Sequence, residues 1–289
     1  MTSRSRRLNR DLAGTDLGRR AFEVTAEGIE AYARAVEDLN PRYLAGGDSV
    51  AGPVWPVVPA FESFMAAARH PDLGADLRRL LHASEEHLLV ASIRPGDMLT
   101  VHSLLDSIDD HPAGETFTIR ATLAVAPGVS EDPPSRMVVA EVAGTMLIRG
   151  PGTGGSLEPD REPGQILYED SVFVAEDQMR RYADASGDHN PIHLDRAAAR
   201  RAGLRSPILH GMCTMAMAAR GVVNGVADGD PSRVRRIGVR FARPVVPGRT
   251  LTTRVWELED RGDGTQVAFV TVDDLGASVI EGGRAEISR

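Results

Sequence analysis

The sequence contains no lysine, because every one of its 33 Lys-plus-Arg positions is an arginine. This excludes mechanisms that need a lysine amine, such as Schiff-base formation and the P-loop phosphate site. The single cysteine, Cys213, excludes a disulfide framework and a cysteine-rich zinc site. Basic charge is also in deficit: the formal net charge is −8. This argues against a general nucleic-acid-binding protein, because binding phosphate needs a basic surface.

Long apolar runs are missing as well. No stretch approaches the ~20 apolar residues that a membrane span needs. The basic segment 1–9 leads into no apolar region of the kind that a secretory signal carries. We therefore expect a cytoplasmic protein that does not bind membranes. A length of 289 residues, of which 42% are hydrophobic, is typical of a globular chain with roughly two domains.

A segment rich in glycine, proline and charge, residues 149–165, lies near the middle of the chain and predicts an inter-domain linker. The sequences on its two sides repeat each other. Residues 32–43 match residues 182–193 at six of twelve positions, where background usage predicts roughly one. Residues 95–100 match residues 247–252 at four of six positions. The chain therefore holds two copies of one unit.

The two copies, residues 1–148 and 166–289, predict the same α+β unit. In each copy a short helix, carrying Tyr32 or Tyr182, is expected to end at an Asn-Pro pair, because proline disfavours helical geometry in the residue before it. A second and almost wholly apolar helix follows, and segments of alternating apolar residues then indicate strands. The helix of the second copy is 212–223, and the strand segments are 115–125, 136–148, 237–241 and 265–272. A buried helix followed by antiparallel strands favours a sheet curled around that helix.

The second copy carries residues suited to acid–base chemistry in the sequence GDHNPIH. Asp188, Asn190 and His193 straddle an Asn-Pro turn, which can bring the carboxylate and the imidazole to one point. Such a pair can hold one water molecule, with one partner accepting a proton while the other donates one near neutral pH. An Asx-type turn, in which Asp188 and Asn190 only cap backbone amides, would produce the same spacing.

Gly211 lies where the apolar helix of the second copy should begin. Its N–H would there be one of the unpaired donors of a helix N-terminus, which can stabilise an anion. Glycine also allows a ligand to approach closely. An ordinary helix start is the alternative interpretation. His210, the preceding residue, either packs locally or takes part in binding the substrate.

Together these residues resemble the MaoC-like, R-specific enoyl-CoA hydratases, known as the hydratase 2 family. The resemblance covers about residues 165–289. It rests on Tyr182, Ser186, Gly187, Asp188, Asn190, Pro191, His193 and the HGM sequence at 210–212. Residues 10–148 resemble, more loosely, the MaoC-like dehydratase domain that is often fused ahead of the hydratase 2 domain, through segments 32–43 and 82–97.

The resemblance implies a double hot-dog fold, in which two units each wrap a curved antiparallel sheet around a helix. It also implies reversible syn addition of water to a trans-2-enoyl thioester, which yields a (3R)-hydroxyacyl product. Asp188 and His193 would be the acid–base pair, Asn190 would orient them, and the Gly211 N–H would stabilise the charge on the thioester carbonyl. The acyl group would be carried by coenzyme A or an acyl carrier protein. No metal and no redox cofactor are expected, and association into a homodimer is compatible with this prediction.

Other functions stay open at this point. The same residues suit a tailoring dehydratase or an oxa-Michael cyclase of polyketide or other secondary metabolism, acting on a carrier-bound chain. A non-catalytic subunit that binds thioesters is an interpretation from a different class. The sequence does not assign the base and the acid within the pair, the length of the acyl chain, or the carrier.

The first copy departs from the pattern of the second. Asp38 and the Asn-Pro pair remain, but Tyr43 stands in place of His193. A tyrosine of pKa ~10 is a poor proton-transfer group near pH 7. Ala60 stands in place of Gly211 and retains a backbone N–H. We therefore expect the first copy to be catalytically silent and to shape the acyl-chain tunnel.

Some other charged and titratable residues suggest further sites. Five arginines within 232–244 could meet the phosphates of coenzyme A or phosphopantetheine, or could be a solvated strand face. We expect Arg240 and Arg243, with Tyr182 and His210, to contact the substrate. Five histidines of the first copy show no metal-ligand spacing, and no carboxylate–histidine cluster is expected beside them. These are His70, His82, His87, His102 and His111.

Overall fold

A computed structural model of the chain describes residues 7–125, 137–150 and 165–289, apart from residues 45, 47 and 261. In the first half the helices are α1 (Ala26–Ala35) and α2 (Val57–Ala68), and the strands are β1 (Thr15–Glu23), β2 (Leu80–Leu89), β3 (Met98–His111), β4 (Gly114–Val125) and β5 (Met137–Arg149). In the second half the helices are α3 (Gln178–Ser186), α4 (Pro191–Leu194), α5 (Arg196–Arg201) and α6 (Gly211–Val226), and the strands are β6 (Ile166–Phe173), β7 (Val234–Phe241), β8 (Thr250–Asp260), β9 (Gly264–Asp273) and β10 (Ser278–Ser288). Short 3-10 turns occupy Arg10–Leu12, Leu77–Arg79 and Pro231–Arg233.

The strands form one ten-stranded antiparallel sheet in the order β1-β3-β4-β5-β2-β7-β10-β9-β8-β6. Read outward from its centre, the order of the first half is repeated by the second half, so that β1 corresponds to β6 and β2 to β7. The halves join where β2 pairs with β7, with Glu85 opposite Val239 and His87 opposite Ile237. The predicted duplication is therefore visible as a pseudo-twofold arrangement of one α+β unit.

The sheet encloses the second helix of each half. Helix α2 packs against β3 and β4, and α6 packs against β6 and β8. Cys213, Met215 and Ala218 of α6 are fully buried, as the apolar sequence of this helix predicts. Burying a side chain the size of Met215 stabilises the fold by roughly 1.5–3 kcal/mol. The double hot-dog fold and all four predicted strand segments are confirmed.

One local prediction is wrong. Helix α3 does not reach the Asn-Pro pair but ends at Ser186, because Gly187 adopts a left-handed conformation with φ of +80° and caps it. Asn190 and Pro191 instead begin the short helix α4. The Asn190 side chain accepts a hydrogen bond from the Ile192 N–H, and Pro191 supplies the fixed φ that suits a first helical residue.

The two halves also meet away from the sheet. Tyr32 and Tyr182, which are equivalent positions of the repeat, face each other with ring centroids 5.7 Å apart. The Arg181 guanidinium lies 2.7 Å from the Glu37 carboxylate, and Arg220 donates to the backbone carbonyl of Glu37 at 2.6 Å. The first helices of the two copies therefore pack against each other next to the predicted site.

Most of the predicted linker, residues 151–164, lies outside the described residues. Arg149 ends β5, and Gln165 directly precedes β6. The domain boundaries at 148 and 166 stay a prediction. Among the residues that the structure describes, no helix is long and apolar enough to cross a membrane.

Candidate active site

Asp188 lies in a tight turn between α3 and α4. Its Oδ1 accepts the Asn190 N–H at 3.1 Å, and its own N–H donates to the Ser186 hydroxyl at 3.2 Å. The Asx-type turn, the alternative interpretation of this part of the sequence, is therefore present. It occupies only one carboxylate oxygen, and Asp188 also lines a cavity. The turn and a chemical role are thus compatible, since the second oxygen is left to face a ligand.

His193 is buried on α4, and its tautomer follows from its hydrogen bond. Its Nδ1 lies 2.8 Å from the Ile208 carbonyl oxygen, which can only accept, so the proton is on Nδ1. Burial lowers the pKa of His193, and this effect outweighs the opposing influence of the Asp188 charge. The ring is therefore neutral at pH 7, and its Nε2 presents an unprotonated lone pair.

His210 supports this pair from behind. Its Nε2–H donates to the backbone carbonyl of Asp188 at 2.9 Å, and its ring stacks on His193 with centroids 3.8 Å apart. The ring of Tyr182 packs against the His210 imidazole, with the ring centroids 4.8 Å apart. Burial lowers the pKa of His210 to about 3. His210 is thus neutral, and its hydrogen bond connects the Asp188 turn to the start of α6.

The neutral state of His210 predicts a pH dependence of stability. The pKa of this imidazole is ~6.5 in an unfolded chain but about 3 in the fold, so the unfolded state binds more protons between these values. The contribution is present above about pH 6.5 and is lost as the pH falls toward 3, up to about 5 kcal/mol. Urea unfolding from pH 7 to pH 4 should show a smaller loss of stability for His210→Gln than for the wild type. The exposed His111→Gln serves as the control, and equal slopes for all three proteins would contradict the prediction.

Gly211 opens α6, as predicted, with His210 at the N-cap position. The N–H of a first helical residue has no acceptor within its own helix. Gly211 lines the cavity, and a Cβ built on it would lie 3.3 Å from the Phe241 ring. Its counterpart Ala60 is different, because α2 already begins at Val57 and Ala60 is fully buried inside that helix.

The cavity has a volume of about 260 Å³ and is lined by both halves of the chain. The second half contributes Asp188, His193 and Gly211, while α2 contributes an apolar wall that includes Phe61 and Met65. An adjoining cavity of about 410 Å³ shares Asp188 and Asn190 with it and is bordered by two arginines, Arg20 and Arg69. A narrow apolar chamber therefore opens beside the acid–base pair into a wider and more polar mouth.

The structure distributes the predicted substrate-binding residues unevenly. His210 and Arg243 line the cavity, whereas Tyr182 lies behind His210, and Arg240 is outside the described lining. Because Tyr182 and Arg240 are outside the described lining of this cavity, their contact with the substrate stays a prediction. The predicted basic patch is partly neutralised, because Arg236 pairs with Glu86 at 2.8 Å and Arg233 pairs with Asp228.

One cluster contradicts the sequence analysis, which expected no carboxylate–histidine group near the histidines of the first half. Glu85 lies between His82 and His87, and its two oxygens are 2.8 and 3.0 Å from their Nε2 atoms. Strand alternation places residues 85 and 87 on one face and could have indicated that pair. A bulge in the β2–β5 pairing between His82 and Ser84 then affects where His82 points. Such a bulge has no signal in the sequence.

The side chains of Asp188, His193 and His210 also offer ligand atoms within 4.8 Å of one another. Two imidazoles and one carboxylate are a donor set that can bind a divalent transition metal. In this arrangement Nδ1 of His193 and Nε2 of His210 are already hydrogen-bonded to backbone carbonyls, so only the other nitrogens could serve. The expectation that no metal takes part stays a prediction.

The corresponding region of the first half is filled. Asp38 accepts the Asn40 N–H in the same kind of turn, and burial raises its pKa to about 6. Tyr43 is buried and lines, with Asp38 and Trp55, a space of only about 20 Å³. A bound acyl thioester has no room there.

A sheet curled around a helix, twice in one chain and with an Asp–His pair at the cavity between the halves, defines a double hot-dog protein. Residues 159–278 match the family model described as MaoC like domain, and residues 11–128 match that described as FAS1-like, dehydratase domain region. The second half of the chain is therefore similar to a MaoC-like domain, as its sequence indicated, and the first half to a FAS1-like dehydratase region.

Known proteins are similar to this chain in sequence or in fold. Peroxisomal multifunctional enzyme type 2 of Drosophila melanogaster is 29% identical over 300 aligned positions, which cover 95% of this chain and 47% of that protein. 3-Hydroxyacyl-thioester dehydratase Y of Mycobacterium tuberculosis is 34% identical over 190 positions, 62% of each chain. The crystal structure of a MaoC-like dehydratase from Phytophthora capsici superposes with a TM-score of 0.78 at 23% identity and covers 98% of both chains. The chain spans about half the length of the Drosophila multifunctional enzyme.

Proposed function

We propose that this protein catalyses the reversible addition of water to a trans-2-enoyl thioester, giving a (3R)-hydroxyacyl thioester. One observation carries the proposal: the Asp188 carboxylate and the unprotonated Nε2 of His193 belong to one cavity that is also lined by Gly211. The names of the relatives, which include an enoyl-CoA hydratase 2 and a 3-hydroxyacyl-thioester dehydratase, support the same reaction class.

The pair suits the binding of a single water molecule. Both groups are hydrogen-bond acceptors in this state, so the water donates one O–H to Asp188 and the other to Nε2 of His193. The sequence predicts that one residue gives a proton while the other takes one. The tautomer of His193 favours a simpler order of proton transfers, because its Nε2 has no proton to give until it has taken one from the water.

In this series of reaction steps the protons and electrons balance. His193 takes a proton as the water oxygen bonds to the β-carbon, and the π electrons of the double bond shift toward the thioester carbonyl oxygen. The imidazolium that forms is stabilised by the negative charge of Asp188. His193 then returns the proton to the α-carbon, and the site ends in its starting state. Oxygen and hydrogen arrive from the same side, so the addition is syn.

The carbonyl oxygen needs a donor while it holds negative charge. The Gly211 N–H points out of the first turn of α6, where the helix dipole also favours an anion. Removing one such donor typically costs ~3–4 kcal/mol of transition-state stabilisation. The absence of a side chain at Gly211 keeps the approach to this N–H open, since Phe241 leaves little space for a Cβ.

The first half contributes the apolar wall rather than a second site. Its turn holds Asp38, but Tyr43 cannot replace an imidazole near pH 7, and the space around both is about 20 Å³. Coenzyme A or an acyl carrier protein as the carrier, a homodimer and a cytoplasmic location stay predictions.

The proposal is tested with a panel of trans-2-enoyl thioesters on coenzyme A and on carrier protein. Loss of the conjugated enoyl absorbance is followed, and the configuration of the product is determined. We expect hydration to the (3R) alcohol, with Tyr43→Phe as active as the wild type. A folded protein that hydrates none of these thioesters would contradict the proposal. A Tyr43→Phe variant without activity would contradict the silent first half.

A further inference from the structure

A buried trio of ionisable side chains lies on β2, in the half of the chain that supplies no acid–base pair. The Glu85 carboxylate is fully buried between His82, at 2.8 Å from Oε2, and His87, at 3.0 Å from Oε1. The side chain of His87 is fully buried as well, and its Nδ1 lies 3.0 Å from the Pro53 carbonyl oxygen. The reaction proposed above uses none of these groups.

Their protons can be counted from the hydrogen bonds. The Pro53 carbonyl only accepts, so Nδ1 of His87 carries a proton, and a second proton is shared between its Nε2 and Glu85. Hydrogen bonds from the two histidines lower the pKa of Glu85 in spite of the burial that opposes ionisation. Glu85 is therefore a carboxylate that accepts hydrogen bonds from both imidazoles. The Nε2–H of His82 donates to Oε2, so Nδ1 is the acceptor of the neutral His82 ring.

His82 is the member of the trio that reaches the cavity. Its side chain is 22% exposed, and it lines the same chamber as Asp188 and His193. Its ring lies 4.7 Å from that of Phe241 and 6.5 Å from that of Phe64. Other lining residues near it in sequence, Leu80 and Leu81, are apolar. His82 thus places a polar acceptor among apolar side chains.

The position of His82 relates it to the reacting bond. The Phe241 ring lies 4.7 Å from the His82 ring between centroids, and a Cβ built on Gly211 would lie 3.3 Å from the same ring. His82 and the N–H proposed to bind the thioester carbonyl therefore both adjoin one aromatic side chain. A polar atom in such an apolar wall is costly unless a donor meets it, and a bound ligand that brings an O–H gains from the contact.

We infer that His82 is a specificity-determining residue whose Nδ1 accepts a hydrogen bond from a hydroxyl group on the acyl chain of the bound thioester. Glu85 and His87 are positioning residues, because they fix the ring and its tautomer. This inference rests on the proposed hydration and names its substrate class: enoyl thioesters that carry a hydroxyl away from the double bond.

The test compares pairs of trans-2-enoyl-CoA esters of equal chain length, with and without a hydroxyl at successive carbons from C5 outward. We expect at least one hydroxylated ester to exceed its plain partner about tenfold in kcat/KM, the effect of one hydrogen bond of ~1.4 kcal/mol. His82→Phe, which keeps an aromatic ring beside Phe64 and Phe241, should reduce that ratio to about one. His82→Gln offers an amide acceptor and should restore part of it.

His102→Phe is the matched control, since His102 of β3 pairs with Asp16 of β1 and lies outside the described lining of the cavity. Its ratio should equal that of the wild type. A His82→Phe variant that loses the same factor on both esters would overturn the inference and would point instead to an amide N–H of the pantetheine arm. Hydration of plain esters with no preference at any hydroxyl position would overturn this inference alone. Absence of any hydration would overturn the proposed function.

Discussion

Asp188→Asn is expected to lower turnover at least a hundredfold while the protein stays folded. The asparagine Oδ1 can still accept the Asn190 N–H that Asp188 accepts at 3.1 Å, so the turn is retained. The variant loses the acceptor that orients the water and the negative charge that stabilises the His193 imidazolium. Acid–base groups of this kind contribute roughly 10²–10⁴ in rate.

The measurement is the single-wavelength hydration assay under saturating substrate, with circular dichroism to verify the fold. The first half supplies a matched control, because Asp38 accepts the Asn40 N–H in an equivalent turn. Asp38→Asn makes the same chemical change and should retain turnover near that of the wild type. His193→Ala should be as impaired as Asp188→Asn. Turnover by Asp188→Asn within tenfold of the wild type would remove Asp188 from the mechanism.

Glu85→Ala is expected to lower the free energy of unfolding by about 3–5 kcal/mol, because the variant loses two buried hydrogen bonds to a charged group, each worth about 1.5–3 kcal/mol. The side chains of Glu85 and His87 are both fully buried, so the variant leaves His87 and His82 without their shared hydrogen-bond acceptor. Glu85 also lies on the strand that joins the two halves, opposite Val239. The loss should therefore destabilise the whole chain.

Urea unfolding at pH 7 measures this effect, and the neighbouring residue provides the control. Glu86 pairs with Arg236 at 2.8 Å, but the two side chains are 48% and 46% exposed. Glu86→Ala should therefore cost no more than about 1 kcal/mol. Similar losses for the two variants would mean that the buried hydrogen bonds of Glu85 stabilise the fold no more than an exposed ion pair does.

Local and repeated patterns in the sequence predicted much of this molecule. The match of segments 32–43 and 182–193 indicated two copies, and the structure confirms two units of one topology. The buried helix and its start at Gly211 followed from apolar composition. Asp188 and His193 were singled out from a motif whose turn does bring them together.

Features that depend on distant backbone could not be predicted in this way. The proton on Nδ1 of His193 is fixed by the carbonyl of Ile208, fifteen residues along the chain. His210 binds the carbonyl of Asp188, which its own sequence context does not indicate. Hydrophobic alternation shows which face of a strand is buried but not which strand lies beside it, so it did not predict the β2–β7 pairing or the place of His82.

The pairing of β2 with β7 within one chain has a consequence for the divergence of the two halves. In a symmetric dimer the same residues must serve both subunits, so a change that improves binding in one subunit also alters catalysis in the other. Here the equivalent strand pairing forms only between β2 and β7, whose sequences differ. Each half is therefore free to accumulate substitutions that its twin does not share. Two differences between the halves are examples. Tyr43 occupies the position that is His193 in the second half, and no acidic residue of β7 corresponds to Glu85 of β2.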